Sequence, residues 1–500
     1  MDFFDAMQTT LNEEKTFTAN GAIAYATSGK KLLDFNFDVA AMRNMREEAI
    51  ADKFMGAFFE DKKTALEYLF YLGDVREGLG ERKAFRSGLQ YLCFNHPDIA
   101  RAVMELIPYY NRWDSILCML DSEDTKKTAI AFIKAQLKKD RANMKEGNPI
   151  SLCAKWMPSV NASSAVTINR ARTICRGLGW SERKYRRTLS KLRKYLDIVE
   201  VKMSAKKWGK INYETVPSKA NLIYNDAFLR NDETRRREYL ASLEKGKAKI
   251  NASTLNPHEI CYKYRQNGCR KDATLEALWK SLPDLYIDNV LVVRDGSGSM
   301  NWSGGMMTNS TPLDVATALA IYMSEHNTGS WNGKYITFSS RPKIVDISNC
   351  DTLAEKIRLS LREADCSNTD IYKTMMLILR TAEENHIEQC DMPKMVVICS
   401  DMQFDGRYHN LNRSLFDEIK KEFEDAGYKL PRICFWNLSG HSNGTIPMQQ
   451  NDLGLILCSG FSVQILKMFM SSRIDPYGVL LEVLHSERYD KVREAIKDIL

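Results

Sequence analysis

The feature that most constrains the fold of this chain is a change of hydrophobic rhythm near residue 286. Before it, apolar residues such as Phe54, Phe58 and Leu66 recur at the three-and-four spacing of a buried helix face. After it, short apolar strands alternate with helices, which is typical of a parallel sheet covered on both faces. The 500 residues also exceed the roughly 250–300 that one core can hold. We therefore predict a multidomain α plus α/β chain.

The predicted division gives a helical-repeat domain over residues 1–285 and a doubly wound α/β domain over residues 286–500. In the first, glycine and proline breaks separate short helices, but no clean repeat period is visible, so a repeat array and an irregular α-domain both fit. In the second, strands are predicted at 286–294, 334–338, 343–347, 395–400, 431–436 and 453–458. Ligands of such sheets bind beyond the carboxyl ends of the strands.

The first of these strands ends in a run of closely spaced oxygen donors. Asp295, Ser297 and Ser299 alternate with two glycines that allow the loop to curl and bring the three side chains together. Thr369 precedes a predicted helix, and Asp401 directly follows the strand at 395–400. Carboxylate and hydroxyl oxygens suit a hard cation such as Mg²⁺ or Mn²⁺. We therefore predict a divalent-metal site at one edge of the sheet.

This order of donors resembles the metal-ion-dependent adhesion site of von Willebrand factor A domains, over roughly residues 286–470. The resemblance implies that Asp295, Ser297, Ser299 and Thr369 hold the metal directly or through water, and that Asp401 acts through water. It also implies an open coordination position for an acidic group of a protein ligand. The alternative from the residues alone is a plain turn beside a buried aspartate.

Charge is distributed unevenly along the chain. Residues 151–250 carry a net charge of +14, whereas residues 291–500 carry −5. Within the basic stretch, residues 181–196 place Tyr185, Leu189 and Leu192 on one helical face, with Ser181 as a plausible N-cap. Lysine and arginine on the other faces neutralise phosphates and release counterions, which favours RNA in a salt-dependent manner. A solvated helix face is the alternative.

The candidate RNA-binding side chains share a basic charge and lie within residues 170–207. They are Arg170, Arg172, Arg176, Arg183, Lys184, Arg186, Arg187, Lys191, Arg193, Lys194, Lys206 and Lys207. Tyrosine or Trp208 among them could stack on unpaired bases, although Trp208 could equally belong to a core.

Two segments of the first half, 70–92 and 107–117, resemble the TROVE module of the Ro ribonucleoprotein family. The order of a helical module followed by a von Willebrand domain also matches that architecture, and the loop SDMQFD is similar to that of an uncharacterised Ro-related family. The resemblance implies helical repeats that can close into a ring, and binding of small structured RNAs and of misfolded RNAs.

The sequence carries no pattern typical of an enzyme. Its seven histidines form no HExxH, and the stretch from Gly329 to Lys334 has the wrong spacing for a phosphate-binding loop. No apolar run approaches the roughly 20 residues of a membrane helix. The N-terminus does not have the pattern of a secretory signal, and the twelve cysteines include no CxxC pair. We expect a cytoplasmic protein with reduced cysteines.

We therefore predict a non-enzymatic RNA-binding protein with a divalent-metal site. It would bind small structured or misfolded RNA, and we expect no DNA sequence recognition. The alternative is a protein-assembly adaptor, in which an acidic partner residue completes the metal shell and RNA plays no part. A metal-dependent hydrolase ranks last.

Overall fold

A computed structural model describes residues 15–18, 20–21, 23–301, 310–339, 341–363, 370–404, 413–441, 444–449 and 451–500. The chain forms two compact units. The sheet unit comprises Met1–Ala49, Gly56–Asp61 and Ala252–Leu484, and the helical unit comprises Ile50–Met55, Lys62–Asn251 and His485–Leu500. Each unit is therefore assembled from separate stretches of sequence. The division into domains at residues 1–285 and 286–500 stays a prediction.

The strands are β1 (Lys15–Phe17), β2 (Ile23–Tyr25), β3 (Val290–Asp295), β4 (Lys334–Phe338), β5 (Ile344–Asp346), β6 (Met395–Ser400), β7 (Arg432–Asn437) and β8 (Leu455–Ser459). The α-helices are α1 (Lys31–Phe37), α2 (Val39–Met42), α3 (Glu47–Glu60), α4 (Lys62–Gly73), α5 (Arg82–Asn95), α6 (Pro97–Ala102), α7 (Ile107–Tyr110), α8 (Glu123–Lys145), α9 (Cys153–Trp156), α10 (Ala165–Leu178), α11 (Glu182–Tyr195), α12 (Val199–Ser204), α13 (Ser218–Asn231), α14 (Glu233–Glu244), α15 (Pro257–Gln266), α16 (Ala273–Lys280), α17 (Pro312–Glu325), α18 (Leu353–Arg362), α19 (Ile371–Glu384), α20 (Arg413–Asp425), α21 (Pro476–Leu484) and α22 (Asp490–Ile496). Short 3₁₀ turns include Trp113–Leu120, Gly298–Asn301 and Val463–Met470.

The sheet unit is built on a six-stranded sheet of order β5-β4-β3-β6-β7-β8. The predicted fold class, a helical region followed by an α/β region, is confirmed. The pairs from β4 to β8 are parallel, as predicted, but the edge strand β5 runs antiparallel to β4. The expectation of a parallel pairing was therefore wrong at this edge. Only Ser339 to Lys343 separate β4 from β5, whereas a parallel return needs a crossover of a dozen or more residues.

Helix α17 lies against the centre of this sheet and packs on β3, β4 and β6. Pro312 occupies its first turn, and Thr311 and Asp314 form a capping box that satisfies the free amide groups of that end. Helices α15 and α18 cover α17 in turn, which explains why it is buried almost all round.

The first described residues of the chain belong to the sheet unit. Tyr25 exchanges backbone hydrogen bonds of 2.8 Å with Ile446, and α1 packs on β8. The side chain of Asn36 donates to the carbonyl of Leu457, and that of Asn437 donates to the carbonyl of Phe37. The strands β1 and β2 lie outside the sequence prediction, which placed no strand before residue 286.

The helical unit has a continuous apolar core. Helix α4 is buried along most of its length and packs on α5, where Gly88 permits the close approach: a Cβ atom there would lie 2.6 Å from a methyl group of Leu69. The long helix α8 contacts α10 and α11. Residues 485–500 return to this unit, where α22 packs on α4.

Among the described residues, no helix combines the length and the apolar character needed to cross a bilayer. The cysteines that the structure describes carry free thiols, and all but Cys350 and Cys390 of them are buried. Their positions agree with the predicted role as reduced core residues.

Candidate functional site

Asp295 ends the central strand β3 beside the end of the neighbouring strand β6. The parallel register pairs Arg294 with Cys399, so the two strands finish at the same edge of the sheet. The Asp295 side chain is completely buried. One carboxylate oxygen accepts a hydrogen bond of 2.6 Å from the Ser400 hydroxyl, and the other accepts one of 2.8 Å from the backbone amide of Ser297.

The chain turns sharply after Asp295. The 3₁₀ turn Gly298–Asn301 places the Ser297 and Ser299 hydroxyls 3.0 Å apart on the accessible side. Met300 of the same turn is fully buried and anchors the loop to the core. The predicted convergence of these donors is therefore present in the fold.

Asp401 directly follows β6 and faces the same place. Its neighbour Met402 adopts a left-handed conformation with φ of 64°, which few residues without a special constraint take up. The Met402 amide donates to the Ser400 hydroxyl oxygen at 3.1 Å, and the Gln403 amide donates to Asp401 at 3.1 Å. These bonds turn the loop back on itself and hold Asp401 near the Asp295 loop.

Two N-terminal side chains hold this second loop from outside. The Thr18 hydroxyl donates to the carbonyl of Phe404, and the Asn20 amide donates to the carbonyl of Gln403, both at 2.8 Å. Sequence reasoning missed them, since nothing local links residues that lie more than 380 positions from their partners.

The electrostatics of the site match a place for a cation. Burial and the charge of Asp401 raise the pKa of Asp295 to about 6, although hydrogen bonds from Ser400 and Ser297 lower it. Burial also raises the pKa of Asp401, against a hydrogen bond from Ser299. Within the described residues, no Lys, Arg or His forms an ion pair with Asp295.

The donor set fits a hard divalent ion. In the part of the chain that the structure describes, no three His, Cys, Asp or Glu side chains cluster as metal ligands. The candidate site offers two carboxylates, Asp295 and Asp401, and two hydroxyls, Ser297 and Ser299. Such oxygen donors suit Mg²⁺ or Mn²⁺ rather than zinc. The fifth predicted ligand, Thr369, lies outside the described residues. Its neighbour Asp370 caps α19 by accepting a hydrogen bond from the Lys373 amide.

The predicted basic helix is α11 in the helical unit. Ser181 is its N-cap and accepts a hydrogen bond from the Lys184 amide, as predicted. Tyr185, Leu189 and Leu192 are buried, and the Tyr185 hydroxyl donates to the carbonyl of Pro158. The apolar face of the helix is therefore core, and its basic faces are exposed.

Four of the predicted cations gather around one groove. Arg183, Lys184, Arg187 and Lys191 of α11 line a concavity of about 470 Å³ together with Arg141 of α8. None of the described residues that line it is acidic. Among the described residues, none of these five cations forms an ion pair. Arg141 lies outside the predicted set, because it comes from a distant helix and only the fold brings it to α11.

The remaining eight predicted cations divide into three groups. Arg170 pairs with Asp121 at 3.2 Å and Arg172 with Glu182 at 2.9 Å, so each of these two arginines already has an acidic partner. Arg193 is half-buried: it donates to the carbonyls of Ala154 and Met157 and to Ser159, and burial lowers its pKa. Exposed side chains without an ion pair in the described part of the chain are Arg176, Arg186, Lys194, Lys206 and Lys207.

Trp208 is half-buried, with its ring edge-on to Phe228 at 6.5 Å. It therefore contributes to the core of the helical unit, and at most part of its ring surface remains accessible.

Comparison with known proteins places the chain among relatives. A profile for a domain of unknown function, DUF2828, matches residues 18–109 and 127–285, and a second such profile, DUF7788, matches residues 289–495. An uncharacterized protein of Acanthamoeba polyphaga mimivirus is 30% identical over 94% of this chain and 87% of that protein.

Among solved structures, the Ro (RSR) protein of Deinococcus radiodurans aligns over 81% of this chain and 87% of that chain. The identity is 13% and the TM-score is 0.42, which is too low to establish a shared fold. The family assignment therefore rests on sequence: with one profile covering half of its length and a relative 30% identical along almost all of it, the chain belongs to the DUF2828 family.

Proposed function

We propose that this protein is a non-enzymatic RNA-binding protein whose helical unit holds the phosphate backbone of small structured or misfolded RNA. The observation that supports the proposal is the groove between α8 and α11, where five cations converge and no described lining residue is acidic. Phosphates of RNA supply the missing negative charge, and the displaced counterions supply much of the binding free energy. The Ro-like motifs of residues 70–92 and 107–117 point to the same class of ligand.

The arrangement of charge on α11 favours a functional role over a merely solvated face. Arg183, Arg187 and Lys191 follow one another at intervals of four residues, so like charges stand one turn apart. Each such pair destabilises a helix by roughly 0.2–0.5 kcal/mol. On an ordinary solvated face, acidic residues between the basic ones relieve this repulsion. On a phosphate-binding face the basic residues remain adjacent, because the bound phosphate relieves it.

The sheet unit would contribute a divalent-metal site. Asp295, Ser297, Ser299 and Asp401 would hold Mg²⁺ or Mn²⁺, with Thr369 as the fifth predicted ligand. The metal would supply a positive charge with a position for an acidic group of a partner. The chain's own residues keep the loop in shape: Ser400 orients the Asp295 carboxylate, and Thr18 and Asn20 hold the Asp401 loop.

A second candidate function is a protein-assembly adaptor. The observation that favours it is the convergence of the Asp295 and Asp401 loops at one sheet edge, far in sequence from the basic groove. In that case an acidic side chain of a partner protein would bind through the metal, and EDTA would release the partner.

Filter binding of a structured RNA at two salt concentrations tests the RNA proposal. We expect the affinity to fall by close to a log unit per phosphate contact for each tenfold rise in salt. The triple variant Arg183→Ala, Arg187→Ala, Lys191→Ala should bind more weakly and with a shallower salt dependence. The matched control is Lys134→Ala, Lys138→Ala, Lys139→Ala, which removes three exposed charges of α8 that do not line the groove. No affinity at low salt, or equal losses in both variants, would contradict the proposal.

A further inference from the structure

We propose that the groove between α8 and α11 recognises closely spaced phosphates, such as the 5′ triphosphate end of an RNA, rather than a passing stretch of backbone. This inference rests on the proposed RNA-binding function and deepens it. Four features support it: the number of charges, the size of the groove, the chemistry of its donors and the fixed position of helix α11.

The number of charges exceeds what a single backbone phosphate requires. Arg183, Lys184, Arg187 and Lys191 of α11 face Arg141 of α8 around one concavity, and the described residues that line it include no acid. A backbone phosphate carries one negative charge, whereas a terminal triphosphate carries about three to four, since a terminal phosphate loses its second proton near neutral pH. Five convergent cations therefore match a phosphate cluster better than a single diester.

The shape of the groove limits the ligand to a compact group. Its volume of about 470 Å³ lies in the range of small-ligand sites, and side chains of both helices line it. Cations around a concave site act on the same few atoms, whereas a flat stripe distributes them along a strand. The field is therefore concentrated where one highly charged group can sit.

The donors around the groove are chemically suited to phosphate. The guanidinium groups of Arg141, Arg183 and Arg187 can each offer paired N–H groups to two phosphate oxygens, and Lys191 adds a point charge. Ser181 accepts the Lys184 amide through its oxygen and keeps its own hydroxyl hydrogen for donation. All of these groups are donors, and an anion with many acceptor oxygens is the ligand that satisfies them together.

The wall formed by α11 is fixed before any ligand arrives. Arg193 ties the helix to the carbonyls of Ala154 and Met157 at 2.8 Å and 2.7 Å, and the buried Tyr185 donates to Pro158 at 3.0 Å. The backbone of this wall therefore does not have to be ordered on binding, which lowers the entropic cost of binding.

The same chemistry could come from a free nucleoside triphosphate or from inorganic tripolyphosphate. All three ligands share a chain of adjacent phosphates. The experiment therefore tests the three ligands separately. The RNA end adds backbone contacts outside the groove, and the free compounds do not.

The test uses the full chain and one RNA sequence, labelled at its 3′ end and prepared with a 5′ triphosphate, a 5′ monophosphate or a 5′ hydroxyl. Fluorescence anisotropy should show about tenfold tighter binding of the triphosphate than of the hydroxyl form. Arg187→Ala with Lys191→Ala should remove this difference, and Lys134→Ala with Lys138→Ala should keep it. Circular dichroism verifies that the exposed substitutions leave the helices intact.

The outcomes separate this inference from the function on which it rests. Equal affinity for the three RNA ends overturns the inference and leaves RNA binding in place. No binding of any RNA overturns the proposed function as well. Displacement of the triphosphate RNA by tripolyphosphate or by a nucleoside triphosphate supports the site for adjacent phosphates, and displacement at equal concentration assigns it to the free compound rather than to the RNA end.

Discussion

The buried carboxylate of Asp295 makes the stability of the metal-free protein depend on pH. It is fully buried beside a second carboxylate, and in the metal-free protein its pKa rises to about 6. A carboxyl group with a raised pKa binds its proton more tightly in the folded than in the unfolded chain. Its contribution to stability is therefore full below about pH 4 and is lost as the pH rises through about 6.

The metal-free protein should consequently gain stability from Asp295→Asn at neutral pH. The expected gain in the free energy of unfolding is near zero at about pH 4 and about 2–3 kcal/mol at about pH 7, because the variant carries no charge to bury. Urea unfolding in EDTA across this pH range measures it. A gain that does not change with pH would show that the buried carboxylate charge is not its cause.

The same substitution should abolish divalent binding. Calorimetry with Mg²⁺ and with Mn²⁺ should detect binding to the unmodified protein and none to Asp295→Asn or Asp401→Asn, because each change removes a charged oxygen from the donor set. The exposed Asp391→Asn serves as the control. Unchanged binding by Asp295→Asn would refute the site.

Individual residues also show where sequence reasoning ends. The spacing of Asp295, Ser297 and Ser299 predicts their convergence, because a glycine-rich turn after a strand has few ways to fold. Thr18 and Arg141 could not be found in this way. Each reaches its site through tertiary contacts, and the local sequence around it carries no pattern that announces a partner.

At the scale of the element, the structure of helix α11 can be predicted from the sequence, but the availability of its basic side chains cannot. Its N-cap and apolar face follow from sequence periodicity, and the structure confirms both. The periodicity does not show which of its cations remain available for a ligand. Arg193 donates to backbone carbonyls of another segment, and Glu182 of α11 pairs with Arg172 of α10. The edge strand β5 is a different case. Its short connection to β4 indicates an antiparallel hairpin, whereas the alternation of strands and helices in the rest of the sheet led to the prediction of a parallel strand.

The like charges of α11 allow stability and binding to be separated. Arg187→Glu converts two repulsive pairs, with Arg183 and Lys191, into attractive ones. We expect the free energy of unfolding to rise by about 1–2 kcal/mol, since two penalties are removed and two attractive pairs are added, while RNA affinity falls. Thermal unfolding and anisotropy measure the two effects.

The matched control is Lys134→Glu on α8, which makes the same change of charge one turn from Lys138. It should stabilise its helix by a smaller amount and leave RNA affinity nearly unchanged. A fall of both stability and affinity in Arg187→Glu would show that the substitution damages the fold instead.

At the scale of the whole molecule, the units do not follow the order of the sequence. Residues 485–500 belong to the helical unit and are held there by charge and by aromatic contacts. Arg488 forms a bidentate pair with the fully buried Asp74, and Tyr489 stacks on Tyr110 with ring centroids 5.6 Å apart. Arg493 adds an ion pair of 2.9 Å with Glu67.

Loss of Arg488 should therefore destabilise the helical unit. Arg488→Ala leaves the Asp74 carboxylate buried without its cation, which costs about 3–5 kcal/mol in comparable cases. Hydrogen exchange of α4 and α7 should rise in this variant. The exposed Lys497→Ala should leave the exchange unchanged. Unaltered protection in Arg488→Ala would show that the pair contributes little.

A fragment of residues 286–500 should fail to fold cooperatively. It lacks Asn36, which donates to Leu457 of β8, and it lacks the carbonyl of Phe37, which accepts from Asn437. Adding back a chain of residues 15–61 should restore part of the protection of the sheet. A single cooperative unfolding transition in the fragment alone would contradict this expectation.

The return of residues 485–500 to the helical unit has a consequence for biosynthesis. A core begun at residue 50 is completed only after the sheet unit has left the ribosome, so the nascent chain exposes the acceptor surface for Arg488 and Tyr489 throughout most of translation. A prematurely terminated product would lack this closure and would present an unfinished hydrophobic surface to chaperones and proteases.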